Sequence, residues 1–252
     1  MKTKIIPAIN AKTFEEVKEK INLLKDLTNH FHLDVASLEF TGYQTWQNSE
    51  DLNRLNYLNE GPNNIPDYKL NGNQKFGHDS GNTFGRYSGK KSITFDLHLM
   101  LSLKPQEILK WAKENVQTLI LHLEASQNPD GLLKLAKKTK KKIFIAWSPD
   151  VEFNFIKKYL NYVDGVLTLG VKPGRAGQKF LEETYKRIEV IKEEKKKNKL
   201  KIKLMVDGGI NRENFDKILS FNPDYIVMAS AIYSEGNPKE NYLFFNKKVK
   251  NV

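Results

Sequence analysis

A histidine and an aspartate two residues apart, His32 and Asp34, stand in N-H-F-H-L-D-V-A-S, where Phe31, Leu33 and Val35 alternate with His32, Asp34 and Ala36. That alternation is the period-two pattern of a strand, so the polar pair shares one face. An imidazole and a carboxylate so placed can chelate a divalent metal, or act as a base with its orienting partner. Taken alone, the stretch reads more simply as a strand end with two solvated polar residues. Three further stretches change that balance. F-D-L-H-L-M sets Asp96, His98 and Met100 opposite Phe95, Leu97 and Leu99, K-L-M-V-D ends on Asp207, and T-L-I-L-H-L-E-A puts His122 and Glu124 on one face.

The elements that must carry these residues can be read in order. A strand over 4–9 precedes a helix over 12–27, whose apolar face is Phe14, Val17, Ile21, Leu24 and Leu27. After the strand holding His32, a short helix fits 50–58 with Leu52, Leu55 and Leu58 inward. Strands at 93–100, 118–125, 142–147, 163–171, 201–206 and 225–230 follow, separated by helix-like segments. Pro105, Asn128-Pro129, Ser148-Pro149 and Asn211 mark helix starts. Eight strands, each followed by a helix or a helix-like segment, predict a (β/α)8 barrel, an α/β TIM barrel, over an open doubly wound sheet. Residues 1–252 are expected to form one such domain.

The exception to this rhythm is the Asn/Gly-rich stretch 61–91, too long for an ordinary connection. Lying between a helix and a strand, it is expected on the N-terminal face of the barrel as a surface or oligomer-contact insertion. Its His78, Asp79 and Arg86 then stand away from the chemistry.

In a barrel, chemistry sits at the C-terminal strand ends. His32, Asp34, His98 and Asp207 lie there on the faces opposite the apolar sets, and so converge on one mouth. Two imidazoles and two carboxylates make a divalent metal site, suited to zinc, iron, manganese or cobalt. His122 and Glu124 share that geometry and are assigned to the wall or to the layer behind the ligands. Two glycine-bearing turns, Pro173 to Gln178 and Gly208-Gly209, together with Ser230 closing the last strand, could cradle a phosphate through freed backbone amides.

Composition narrows the classes. The 252 residues carry a formal net charge of +11, mostly lysine, concentrated at 137–142, 192–203 and the C-terminal end. No aromatic-interleaved basic stripe or zinc-finger spacing accompanies it, so nucleic acid is disfavoured and an anionic small molecule suits the charge better. The absence of cysteine excludes disulfides, thiolate metal sites and cysteine nucleophiles. No run reaches transmembrane length and no signal-peptide core is visible, so a cytoplasmic protein with no membrane contact is expected. A homo-oligomer is compatible with the sequence.

The ordered set H-L-D-V, D-L-H-L-M, H-L-E-A, V-K-P-G-R-A-G-Q-K-F, V-D-G-G-I and A-S-A-I resembles the ribulose-phosphate 3-epimerase family over most of the chain outside 61–91. The resemblance implies a phosphosugar-binding barrel with metal ligands at His32, Asp34, His98 and Asp207. It implies that Asp34 and Asp207 are the acid/base pair that inverts C3 of a ketopentose phosphate, D-ribulose 5-phosphate to D-xylulose 5-phosphate. It also implies substrate contacts at His98, Gly174, Arg175, Ala176, Gly177, Gly208, Gly209, Ala229 and Ser230. Several positions depart from the family pattern: Ala8 replaces a serine, Ala36, Ser37, Leu38 and Glu39 replace M-D-G-H, and Leu169 replaces a methionine. Arg175 and Ala176 stand where an aromatic residue and a glycine are usual. The sugar-facing residues therefore differ more than the ligands do, which leaves open a related barrel acting on another ketose phosphate. A non-catalytic phosphosugar-binding or nucleic-acid-binding barrel is the remaining alternative, disfavoured because binding alone has no use for two opposed acids.

Overall fold

The computed structural model describes residues 2–59 and 92–250. Within them eight parallel strands close into a barrel in sequential order: β1 (Lys4–Ile9), β2 (His30–Ala36), β3 (Thr94–Met100), β4 (Val116–Leu121), β5 (Lys142–Trp147), β6 (Gly165–Leu169), β7 (Lys203–Asp207) and β8 (Tyr225–Met228). The barrel expected from the alternating pattern is the one observed. Helices α1 (Phe14–Leu24), α2 (Leu38–Thr41), α3 (Ile108–Trp111), α4 (Pro129–Lys138), α5 (Phe153–Lys157), α6 (Thr184–Lys197), α7 (Phe215–Ser220), α8 (Ser230–Tyr233) and α9 (Pro238–Lys250) intervene or follow. The expected insertion at 61–91 lies outside the described residues.

Local chemistry explains several boundaries. The Thr13 hydroxyl accepts from the Glu16 amide at 3.2 Å and starts α1, whose Phe14, Val17, Ile21 and Leu24 are buried at helical spacing. Leu27, expected on that face, is 38% exposed, because the helix stops at Leu24 and the amides of Leu27 and Thr28 turn back to its carbonyl. Asn128 caps α4 by accepting from the Gly131 amide at 2.9 Å, with Pro129 in the first turn. The segment over Ser49–Asn59 is a 3-10 helix, not an α-helix, and it buries Leu52 and Leu55 completely. Three strands end earlier than the pattern predicts, β6 among them at Leu169. β4 stops at Leu121, and a single 3-10 turn carries Leu123–Ala125; Ser230 opens α8 instead of closing β8.

Two cores result. The larger lies between strands and helices, and takes the outward residues such as Phe31, Leu33, Phe95, Leu97, Ile145 and Ile226. The smaller fills the barrel interior with Ile6, Ala8, Ile120, Phe144, Leu167, Met205 and Val227. Gly165 makes room for Phe144: a Cβ there would lie 2.4 Å from the ring. Below this plug, at the N-terminal end of the barrel, His30 Nε2 pairs with Asp96 Oδ2 at 2.9 Å and His30 Nδ1 meets Thr94 Oγ1 at 2.8 Å. At the other end, the buried Arg187 of α6 donates to the Trp147 carbonyl at 3.0 Å and to the Leu169 carbonyl, joining the last residues of β5 and β6. Parallel register sets Asp34 beside His98 and Leu169 beside Asp207 at the mouth.

Candidate metal and acid–base site at the barrel mouth

His32 and Asp34 come from β2, His98 from β3 and Asp207 from the last position of β7, all buried. Asp34 Oδ1 lies 3.3 Å from His32 Nε2 and 3.1 Å from His98 Nδ1. Asp207 Oδ2 lies 3.8 Å and 3.7 Å from the same two nitrogens. One donor atom from each of the four falls within 4.8 Å of the others. Ligand atoms on a tetrahedral ion with bonds of ~2.0–2.2 Å are roughly 3.3–3.6 Å apart, close to the spacing found here. Among the described residues, His32 Nδ1 is buried without a hydrogen-bond partner, and Nε2 meets only the Asp34 and Asp207 oxygens, at 3.3 Å and 3.8 Å, so a cation between them suits that nitrogen. The donor set and its geometry fit a divalent metal, and nitrogen and oxygen donors leave zinc, iron, manganese and cobalt all open.

The two carboxylates differ in protonation. Burial pushes the Asp34 carboxyl up, but hydrogen bonds from His32 and His98 and their charges outweigh it and hold Asp34 well below the usual range. Asp207 is pushed up to about 7 by burial, against the attraction of His32, with the Asp34 charge adding to the rise. Burial lowers His98 to about 4, against its hydrogen bond to Asp34. His32 is disfavoured as a cation by burial, yet the pull of Asp34 and then Asp207 leaves it raised above its ordinary value.

Asp207 keeps its proton below about 7, and His32 is also raised, so an entering metal must displace protons there. Metal affinity should therefore fall as pH drops, by about tenfold from about pH 8 to about pH 6 through Asp207 alone. Calorimetric titration of metal into the metal-free protein at the two pH values checks this; equal affinities would contradict it.

The cavity above the four residues is lined by Asp34, His98 and Asp207, and by every substrate-side residue expected from the sequence, from Gly174 through Ser230. His32 does not line it. Its glycines are required by shape. Gly209 sits at φ +70, where a Cβ would lie 2.7 Å from the backbone of Phe180. Gly174 sits at φ +126 with its α-carbon turned toward Thr41. The loop is closed from within by Gln178, whose Nε2 donates to the Lys172 and Arg175 carbonyls, both at 2.8 Å. Arg175 and Ala176 are exposed on its outer turn.

His122 and Glu124 stand directly behind the site. His98 Nε2 is 2.9 Å from His122 Nε2, and His122 Nδ1 is 2.7 Å from Glu124 Oε1. The Ser148 hydroxyl donates to the same Glu124 oxygen at 2.6 Å. Phe40 packs edge-on against the His122 ring, with centroids 5.0 Å apart.

Sequence reasoning did not single out Asn10, Lys20 or Ser148 as site residues. Asn10 Nδ2 donates to Asp34 Oδ2 at 3.1 Å and to the Gly174 carbonyl at 2.9 Å. Lys20 donates to the Asn10 carbonyl at 2.7 Å. The available signal for Asn10 was its parity: it follows Ala8 by two residues, so it shares the face of a strand whose end opens into the mouth.

Comparison with known proteins bears on the same residues. The sequence profile of the ribulose-phosphate 3 epimerase family matches residues 73–233. That span contains His98, Asp207 and the glycine turns, while His32 and Asp34 precede it. The ribulose-phosphate 3-epimerase of Buchnera aphidicola subsp. Baizongia pistaciae is 35% identical over 162 residues, 64% of this chain and 71% of that protein. The Bacillus subtilis ribulose-phosphate 3-epimerase is 29% identical over 151 residues, 59% of this chain and 69% of that protein. Among solved structures, 3-hexulose-6-phosphate synthase from Salmonella typhimurium superimposes with a TM-score of 0.64 at 10% identity, over 100% of this chain and 99% of that one. Orotidine 5'-phosphate decarboxylase from Pyrococcus horikoshii gives 0.62 at 14% identity, over 99% and 100%. These two likenesses establish the barrel fold alone. Among the described residues, no helix is long and apolar enough to cross a membrane.

Proposed function

We propose, for a chain that belongs to the ribulose-phosphate 3-epimerase family, that it inverts C3 of a ketopentose phosphate, D-ribulose 5-phosphate to D-xylulose 5-phosphate, by proton transfer between Asp34 and Asp207. The observation that carries this reading is a pair of buried carboxylates, Asp34 from β2 and Asp207 from β7, facing one cavity. Groups whose environments drive their proton affinities apart suit opposite acid and base roles. Ionised Asp34 removes the C3 proton, leaving a planar enediolate. Asp207, the carboxylate with the higher proton affinity of the two, returns a proton to the other face. The reverse reaction exchanges the roles. Asp34 and Asp207 enter from β2 and β7, strands separated by β1 and β8, and so from different sides of the barrel axis.

His32, Asp34, His98 and Asp207 would hold one divalent ion. When bound, it supplies electrostatic stabilisation of the negative charge that develops on the substrate oxygens. The amides around Gly177, Gly209 and Ser230 would hold the phosphate, fixing the reacting carbon far from it and between the carboxylates. A cytoplasmic location forms part of the same proposal.

The test is proton exchange. Metal-loaded protein in deuterated water with D-ribulose 5-phosphate is expected to form D-xylulose 5-phosphate carrying deuterium at C3. A folded, metal-loaded protein that catalyses no exchange would overturn the reading. The second reading, another ketose phosphate, is favoured by Ala8 and Leu169 inside the barrel and by Leu38, 61% exposed at the start of α2. Exchange with that sugar and none with ribulose 5-phosphate would select it.

A further inference from the structure

We propose that His122, Glu124 and Ser148 form a positioning relay that fixes the tautomer of His98, so that its Nδ1 faces the metal position without a proton. The inference rests on the metal site proposed above and extends it to three residues that hold no metal themselves.

The four side chains form a line of close polar contacts. Asp34 Oδ1 and His98 Nδ1 are 3.1 Å apart, His98 Nε2 and His122 Nε2 are 2.9 Å apart, and His122 Nδ1 and Glu124 Oε1 are 2.7 Å apart. That makes three gaps, each short enough to require something between its lone pairs. With an ion in the cluster, His98 keeps a single ring proton, on the nitrogen away from the ion. The ion then fills one gap and ring protons fill the other two, an order that the surroundings support.

The gap between the rings cannot be the empty one, because two bare nitrogens at 2.9 Å repel. The gap at Glu124 cannot be either. Burial pushes the Glu124 carboxyl up, but the hydrogen bond and charge of His122 and the Ser148 hydroxyl outweigh it, so the group is an ionised acceptor. The Ser148 hydroxyl spends its proton on Oε1 at 2.6 Å, and Oε2 is buried with no partner. Nothing but the His122 Nδ1 proton can satisfy Glu124 from the ring side. With His122 Nδ1 donating to Glu124, His122 Nε2 is placed to accept from His98 Nε2. The gap left for a cation is the one at Asp34, inside the four-residue cluster.

Packing keeps the relay in line. The His98 and His122 rings are stacked at 16° with centroids 5.1 Å apart, and Phe40 closes the remaining side of His122. His122, His98 and Ser148 are buried, so bulk water does not compete for their protons. Outer partners of this kind set ligand orientation and tautomer at metal centres generally.

Zinc is the probe, because it is diamagnetic. Zinc titration with nitrogen-15 histidine NMR, at one fixed pH, reads affinity and tautomer together. The zinc-loaded protein is expected to show the His98 proton on Nε2 and the His122 proton on Nδ1. Glu124→Gln keeps the shape and an acceptor oxygen but removes the charge, and is expected to weaken zinc binding by roughly 10–100-fold and to mix the tautomers. Ser148→Ala is the second variant, used if the first does not fold, and should shift affinity in the same direction by a smaller factor. His98 protonated on Nδ1 in the zinc-loaded wild type overturns the proposal, as does a folded variant with wild-type affinity and tautomers. A folded wild type that takes up no zinc or other divalent ion overturns the metal reading itself, and the wild-type titration shows that separately.

Discussion

Epimerisation by an Asp34→Asn protein is expected to fall roughly 10²–10⁴-fold, the range over which a positioned acid or base contributes to proton transfer. Asparagine keeps the size of the side chain and can still accept one hydrogen bond. It cannot take a proton from carbon. Asp34 also faces His32, His98 and Asn10, and an amide in its place sets a donor against one of those neighbours. Metal content must therefore be measured on the same sample as turnover. A variant that retains metal and loses turnover supports the base role; one that retains both metal and near-normal turnover removes Asp34 from the chemistry.

His98→Ala should have its main effect on the metal. The imidazole supplies one of four donor atoms and is buried, so alanine leaves a three-donor site with a void beside it. The loss of affinity should exceed the roughly 10–100-fold typical of removing an outer partner. Elemental analysis of dialysed protein gives the answer, and full occupancy in the folded variant would eliminate the four-residue site. The two substitutions together separate a failure of metal binding from a failure of proton transfer.

The barrel was legible because strand periodicity survives wherever one face packs on helices and the other on the interior. Phe95, Leu97 and Leu99 against Asp96, His98 and Met100 is that contrast in six residues. The convergence of His32, Asp34, His98 and Asp207 followed from the same parity, with the rule that chemistry gathers at strand ends. Helix limits were less legible. Leu27 keeps the apolar spacing of α1, but the chain turns away before reaching it, and the amphipathic pattern over Ser49–Asn59 does not distinguish a 3-10 from an α-helix. What the sequence hid most fully were contacts between side chains that lie beyond the ends of different strands. Ser148 lies beyond β5, yet it meets Glu124 beyond β4, and Asn10 beyond β1 reaches both β2 and the loop after β6. Such pairings depend on the tilt and stagger of the closed sheet, which no local pattern encodes.

Asn10 has a consequence for how the two ends of a ligand would be read. One amide nitrogen serves Asp34 on one side and Gly174 on the other, so neither partner can move without the other losing part of its hold. Carboxylate orientation and loop position are therefore one variable shared between two places. A ligand that steadies the glycine loop where it stands also steadies Asp34, and by reciprocity a carboxylate locked in place steadies the loop to the same degree in free energy. Under the proposed reaction, contact with the distal end of a sugar phosphate is convertible into alignment at the reacting carbon, and a ligand lacking that end forfeits the alignment along with the contact.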